Sequence, residues 1–258
     1  MHHDVIIIGA GPAGIMLGIM LQQKGHSVII IDKCFFPRNK LCGGLLTKRS
    51  QTFLKSIIGD TNDLFKGIQA KQIDHINVVT NNDMIQYKKR RNPFLIVNRK
   101  NFDNAMVCHY KSLGGVIYEG CHIREAEYNK NRLELSDGRI LSFRFLIGAD
   151  GVYSKIRKFV DPHYKANGLC FESDIDDENL SLSKDTMYLF YGLYKYGYGW
   201  VFPRNGDFAV GIGGTIDVKK QISQLDSITG LLGISTKFKS LHFPFGKFVR
   251  HPIKENVL

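Results

Sequence analysis

Long apolar runs, tryptophan and acidic charge are all in short supply in this sequence of 258 residues. No stretch reaches the roughly 20 apolar residues that a membrane-spanning helix needs, so any membrane contact is expected to be peripheral. The N-terminal apolar segment has no basic start and is broken by glycines, which excludes a signal peptide. The cysteines, Cys34, Cys42, Cys108, Cys121 and Cys170, are odd in number and lack metal-ligand spacing. Neither a disulfide framework nor a metal site is expected, and a reducing cytoplasm fits. Against 24 Asp and Glu stand 35 Lys and Arg, a net charge of +11. That excess favours anionic ligands or a lipid headgroup surface without choosing between them. The densest basic run, Lys88 to Arg91, reads as a solvated loop, with contact to phosphate or acidic lipid as the alternative. The basic residues are otherwise dispersed and no nucleic-acid-reading motif accompanies them, so no nucleic-acid partner is expected.

What is present begins with Val5, Ile6, Ile7 and Ile8, a β-branched run with the pattern of a strand buried on both faces. Gly9, Gly11 and Gly14 follow in G-x-G-x-x-G spacing, with Pro12 and Ala13 between them. Gly9 permits a tight turn, Gly11 lets backbone approach a pyrophosphate, and Gly14 lets a helix pack on the strand. The apolar helical face from Ala13 to Leu21 ends near Gly25, and Val28 to Ile31 return as a second strand before Asp32. A helix N-terminus offers free N–H groups to phosphates, and a carboxylate about 20 residues on accepts ribose hydroxyls. Strand, glycines, helix, strand and acid in that order make a nucleotide site, the other reading being a β-α-β unit whose glycines serve packing alone.

The segment after Asp32, from Lys33 through Pro37, Arg38 and Lys40 to Cys42, Gly43 and Gly44, is expected to loop over whatever the first unit binds. Arg38 and Lys40 are placed to meet phosphate, and the paired glycines to lie against a flat ring. Residues 47 to 66 read as weakly helical, Ile73 to Tyr87 as a hairpin around Asn81-Asn82-Asp83, and Phe94 to Val97 as a strand. A helix is expected from Arg99 to about Leu113, stopped by Gly114-Gly115, then a strand at Val116 to Tyr118. Asp137-Gly138 marks a hairpin between residues 132–135 and 139–141. A buried strand at Phe145 to Ile147 leads into Gly148-Ala149-Asp150-Gly151, where Asp150 either takes a ribityl or ribose hydroxyl or caps the next helix. Beyond about residue 165 strands at 187–191, 199–203 and 208–213, with an Asn205-Gly206 turn, read as an antiparallel sheet. Tyr198, Trp200 and Phe202 alternate and are expected to line one wall of an apolar cavity, or else to form the sheet's own core. The fold class is therefore α/β, with a parallel nucleotide-binding sheet and an antiparallel sheet beside it.

These clusters in this order resemble the geranylgeranyl reductase family, within the flavoprotein superfamily that includes p-hydroxybenzoate hydroxylase. The matching residues are Gly9 to Gly14 with Asp32, Pro37 to Gly44, Arg99 with Phe102 and Asp103, and Gly148 to Gly151 with Ser154 and Arg157. To these are added Tyr198-Gly199-Trp200-Val201-Phe202-Pro203 and Gly211-Ile212-Gly213. The resemblance implies a Rossmann-like FAD-binding domain over 1–78 and 95–165 and an antiparallel-sheet substrate domain over 79–94 and 166–258. It implies FAD held by Gly9, Gly11, Pro12, Ala13, Gly14, Asp32, Lys33, Arg38, Cys42, Gly43, Gly44, Arg99, Asp150 and Gly151. It further implies NADPH, NADH or a reduced ferredoxin-type protein as electron donor, and reduction of carbon-carbon double bonds of an isoprenoid lipid. That lipid is expected against Tyr198, Trp200, Phe202, Pro203, Gly211 and Gly213, with Cys42 beside the flavin ring as a proton donor.

The family continues into a third motif, Gly-Asp-Ala-Ala-Gly at a helix N-terminus. The sequence ends at Leu258 where the strand leading to it would begin, so this motif and the C-terminal helices are expected to be absent. Arg204 stands where the reductases often carry lysine. Two other readings use the same motifs: a monooxygenase or halogenase acting on an aromatic substrate, and a non-catalytic FAD-fold protein. Trp200, the only tryptophan, counts against the halogenases, which usually carry further tryptophan-bearing motifs.

Overall fold

The computed structural model describes residues 2–80, 83–87, 94–163, 168–176, 178, 181–192, 197–215, 223, 228, 230 and 243–245. Lys88 to Arg91 and the C-terminal residues 246–258 lie outside them. The opening unit is β1 (His2–Ile8), α1 (Pro12–Gln22) and β2 (Val28–Ile31). Next come β3 (Leu45–Leu46), α2 (Lys48–Ile58), α3 (Asn62–Gly67), β4 (Lys71–Ile73), β5 (His75–Val79), β6 (Met84–Tyr87) and β7 (Phe94–Ile96). Then follow α4 (Arg99–Ser112), β8 (Val116–Tyr118), β9 (Ile123–Glu127), β10 (Arg132–Leu135), β11 (Ile140–Gly148) and α5 (Lys155–Val160). The last elements are β12 (Gly168–Asp176), β13 (Thr186–Phe190), β14 (Gly197–Pro203), β15 (Asp207–Thr215) and β16 (Phe243–Phe245).

The fold is α/β, a Rossmann-like layer joined to a largely antiparallel sheet. A six-stranded sheet runs β8-β2-β1-β11-β10-β9, and its first four strands are mutually parallel. Its parallel centre is buried on both faces, as the β-branched runs require. Ile7 and Ile30 pack under α1 and α4 with Ile15, Ile19, Met106 and Tyr110. Ile6, Ile29 and Ile31 face the opposite layer with Leu133, Leu141 and Phe143. Residues 139–141 and 145–147, read from sequence as two strands, are parts of one nine-residue strand, β11. It pairs antiparallel with β10 through Ile140 to Ser142 and parallel with β1 through Ser142 to Gly148. The sheet thus changes from hairpin to crossover geometry along a single strand.

The second sheet runs β16-β12-β15-β14-β13-β5-β6. The hairpin expected over 73–87 forms, with Ile76 opposite Tyr87 and Val79 opposite Met84. However, β5 also lies parallel to β13, so the domain boundary drawn at residue 78 falls inside a strand of the second sheet. The alternation of Ile76 and Val78 suits either sheet, and a partner more than a hundred residues away leaves no local mark. The weak helix expected over 47–66 is two helices, α2 and α3, separated by Gly59 at φ +79°. No helix of the described residues is long and apolar enough to cross a membrane.

Candidate nucleotide and flavin site

The parallel strands finish level, Ile8 lying opposite both Ile31 and Gly148. Such a carboxyl edge is where open α/β sheets bind ligands. Here the glycines of one motif separate into different roles. Gly9 sits at φ +108°, and a Cβ on it would lie 2.4 Å from the Ala149 carbonyl oxygen. A Cβ on Gly14 would lie 1.9 Å from the Gly9 oxygen, so both positions are closed by backbone. Gly11 is open: among the described residues, its chain neighbours aside, its notional Cβ meets within 4 Å just Arg38 Nη2, at 3.8 Å. Gly11 is also the N-cap of α1, without a side-chain cap and with Pro12 next. The first turn of α1 therefore keeps amides with no intrahelical partner, at the positive end of its dipole.

Two carboxylates follow the strand ends. Asp32, nearly buried, accepts the Ala10 amide at 2.7 Å through Oδ2 and the Cys34 amide at 2.9 Å through Oδ1. It pins the glycine turn to the following loop, and each oxygen retains a further lone pair. Asp150 accepts the Lys155 amide at 2.8 Å through Oδ2 at the start of α5, while its buried Oδ1 has no hydrogen-bond partner. Lys33 is exposed beside Asp32, and Gly151 lies at φ +79° with open space around it.

A basic cluster closes the near side. Asp103 on α4 is 1% exposed and receives Arg99 in a fork, Nε at 2.7 Å and Nη2 at 2.9 Å. Burial opposes the Arg99 charge, but the hydrogen bonds and charge of Asp103 outweigh it and hold the guanidinium more firmly protonated. Arg38 Nη1 lies 3.1 Å from Asp103 Oδ2 as an ion pair, out of hydrogen-bond alignment. Its other terminal nitrogen faces Gly11. Burial lowers the Lys40 pKa, and the charges of Arg99 and Arg38 lower it further. Three cationic side chains thus gather on one buried carboxylate, leaving a positive excess beside the open cradle.

Between α1, α2 and α4 opens a cavity of about 580 Å³, lined by Ala13, Met16, Cys42, Phe53, Leu54 and Arg99 among others. A more polar cavity of about 680 Å³, with Lys48, Lys55 and Lys66 on its wall, lies away from these motifs. Tyr198, Trp200 and Phe202 do form a ladder on one face of β14, with centroids 5.6 and 6.2 Å apart. They line neither cavity. Trp200 and Phe202 are 6% and 4% exposed in the core with Ile73, Ile96 and Met187, and Tyr198 at the ladder's end is 41% exposed. The reason lies in two glycines: a Cβ on Gly43 would lie 2.6 Å from the Phe202 ring, and one on Gly211 2.4 Å from Trp200. These positions are seats for aromatic rings. Pro203 and Gly213 are buried in the same sheet.

The open cradle at Gly11, the orphan acceptor on Asp150 and the positive excess at Arg38 fit a dinucleotide phosphate with a polyol arm. A family model described as the FAD binding domain matches residues 2–189. The chain belongs to this family of FAD-binding proteins. An uncharacterized protein of Methanosarcina barkeri is 29% identical over 254 residues, covering 94% of this chain and 63% of its own length. The digeranylgeranylglycerophospholipid reductase of Methanococcus vannielii is 26% identical, covering 99% of this chain and 68% of its own. The chain thus spans about two thirds of the length of these relatives. Among solved structures, a geranylgeranyl bacteriochlorophyll reductase-like protein from Thermoplasma acidophilum superposes with a TM-score of 0.79 at 17% identity, covering 100% of this chain and 70% of its own. The geranylgeranyl reductase resemblance is thereby borne out at the level of relatives and fold.

One residue that joins the two parts of the candidate site went unread in the sequence: Glu172, on β12. Its Oε1 accepts the Cys42 amide at 3.0 Å and its Oε2 accepts the Trp200 indole N–H at 2.9 Å. Burial pushes this carboxyl up to about 7, against the opposing pull of Trp200 and Arg204. Burial likewise pushes the neighbouring Cys170 thiol up to about 12, helped by the Glu172 charge. The legible signal was the alternation of Phe171 and Ile175, both buried, with Cys170, Glu172 and Asp174 between and beside them. Acidic residues in such a register look solvated. Arg204, beyond β14, pairs with Asp174 and Asp207 and secures the Asn205-Gly206 turn.

Proposed function

We propose that this chain carries the flavin site of a reductase that saturates carbon-carbon double bonds of an isoprenoid lipid. The observation that supports it most is the largely apolar 580 Å³ cavity, which meets Cys42, Gly44 and Arg99 directly beside the first turn of α1. A lipid tail needs apolar walls that reach the redox centre. The relatives named as digeranylgeranylglycerophospholipid reductases give the substrate class.

In this reading the amides after Gly11 and the Arg38 guanidinium hold the pyrophosphate, Asp32 the ribose, and Asp150 the polyol. Gly43 and Gly44 lie along the ring, while Lys33, Arg99 and Gly151 border the cofactor. FAD, when bound, supplies hydride transfer, and NADPH, NADH or a ferredoxin-type donor replenishes its electrons. The chain's own contribution is to orient the chain of the lipid, exclude water, and deliver a proton from the Cys42 thiol, which lies against Arg99. Tyr198, Trp200, Phe202, Pro203, Gly211 and Gly213 back the loop that carries Cys42. Contact with a membrane surface at the basic side would deliver the lipid.

The test uses the FAD-loaded full chain with dithionite and a digeranylgeranyl glycerophospholipid under anaerobic conditions, read by mass spectrometry. The expected product gains two hydrogens per bond reduced, more slowly with Cys42→Ser. Unchanged lipid from a demonstrably flavin-loaded protein contradicts the proposal, and oxygen uptake with hydroxylation of an aromatic compound would assign a monooxygenase instead.

A further inference from the structure

Glu172 is a buried acid that the proposed chemistry does not use. Its carboxylate is 2% exposed and joins two parts of the fold: the Cys42-Gly43-Gly44 loop on one oxygen and the aromatic ladder on the other. Gly43 lies against the Phe202 ring and the indole nitrogen of Trp200, and Gly211 against the indole ring, so the loop, the rings and the carboxylate pack together.

We propose that Glu172 is a positioning residue, a proton-operated latch that holds the Cys42-Gly43-Gly44 loop to the Trp200 indole and loosens when its carboxyl is protonated.

Both partners are N–H groups, and neither has a lone pair to offer. An ionised carboxylate accepts from both at once. A carboxylic acid has one carbonyl oxygen and one hydroxyl, whose hydrogen requires an acceptor of its own. Placed on either oxygen, the proton removes that oxygen's negative charge, takes up one of its lone pairs and weakens the bond it accepts. Protonation therefore loosens loop from ladder on at least one side, at the point where the loop presents Cys42 to the cavity. The groups facing Glu172 are Cys170 and Asp174 from its own strand, Trp200 and Arg204 from β14 and the residue after it, and Cys42 from the loop. Asp174 pairs with Arg204, which also binds Asp207, and its remaining charge helps to raise the Glu172 pKa. Cys170 remains a thiol across the neutral range because its pKa lies at about 12. Glu172, with its pKa at about 7, changes charge near neutrality.

The consequence for lipid reduction rests on the function proposed above, whereas the latch itself is testable without flavin or lipid. Trp200 is the only tryptophan in the sequence and its N–H is one of the latched donors, so its emission reports the bond. In the full chain as purified, emission is expected to shift in a single step with a midpoint near 7. Glu172→Gln offers one acceptor and one NH2, so it should show the acid-side emission at every pH and no step. Acrylamide quenching of the wild-type chain needs no variant, and should increase on the acid side of the same midpoint. Emission and quenching that stay flat through neutral pH overturn the latch, as does a step that Glu172→Gln retains unchanged. A chain that reduces no lipid but shows the step keeps the latch and loses only its catalytic meaning.

Discussion

Two regions of this molecule use glycine between regular elements, and they use it in opposite ways. At the end of β1, Gly11 leaves a gap with nothing nearer than the tip of Arg38, and the helix behind it keeps unsatisfied amides. Along the second sheet, Gly43 and Gly211 leave gaps that Phe202 and Trp200 fill to within 2.6 and 2.4 Å of where a Cβ would stand. In the first region a missing side chain leaves space open. In the second it makes room for the protein itself. The spacing of a motif cannot distinguish these, because the distinction lies in what approaches from elsewhere in the chain.

The comparison is sharpened by adding one methyl group at three places. Gly9→Ala should be the most damaging, because φ +108° is strained for alanine and the new carbon meets the Ala149 carbonyl at 2.4 Å. A loss of at least about 3 kcal/mol in chemical denaturation is expected, with much of the chain insoluble. Gly211→Ala meets the Trp200 ring and the Phe171 oxygen, at 2.4 and 2.7 Å. Overpacking of that kind costs about 1–3 kcal/mol and should move the Trp200 emission. Gly11→Ala enters open space and should cost about 1 kcal/mol or less, the penalty of a poorer N-cap. Equal losses at all three positions would break the distinction between cradle and seat.

A smaller effect belongs to Glu172. Its pKa of about 7 in the fold stands above the roughly 4.3 of an unfolded glutamate. Between those values the folded chain binds the extra proton, so this group's contribution to stability falls as pH rises through that window and is level above it. The whole swing is at most about 4 kcal/mol and should be smaller after relaxation. The stabilities of the wild type and Glu172→Gln should therefore agree at about pH 4, diverge between about pH 4 and 7 and differ by a constant amount above that, with the amide variant the more stable at the alkaline end. The reverse divergence would mean that the ionised carboxylate stabilises the fold, and that its partners outweigh its burial.

Much of the nucleotide region was legible because its signals are contiguous. The runs Val5 to Ile8 and Val28 to Ile31 became parallel neighbours, Gly25 took φ +81° after α1, and α4 spans Arg99–Ser112 close to the range its apolar spacing gave. The hairpins at Asp137-Gly138 and Asn205-Gly206 also formed where the turn residues stood. What escaped depends on distant partners. The membership of β5 in the second sheet follows from β13, and the choice between cavity wall and sheet core for Trp200 and Phe202, left open by their alternation, is made by Gly43, which arrives from the other region. Glu172 escaped for the same reason. Nothing near it in sequence reveals that its two acceptor oxygens meet an amide from residue 42 and an indole from residue 200.

The central claim is that the open cradle at Gly11 receives the phosphates of FAD, and visible absorbance tests it most directly. The full chain, as purified or after adding FAD and removing the excess, should be yellow with a bound-flavin spectrum, and folded Gly11→Ala should retain at least tenfold less flavin. A folded, colourless wild-type chain that takes up no FAD, or a Gly11→Ala chain that binds it equally well, would contradict the account.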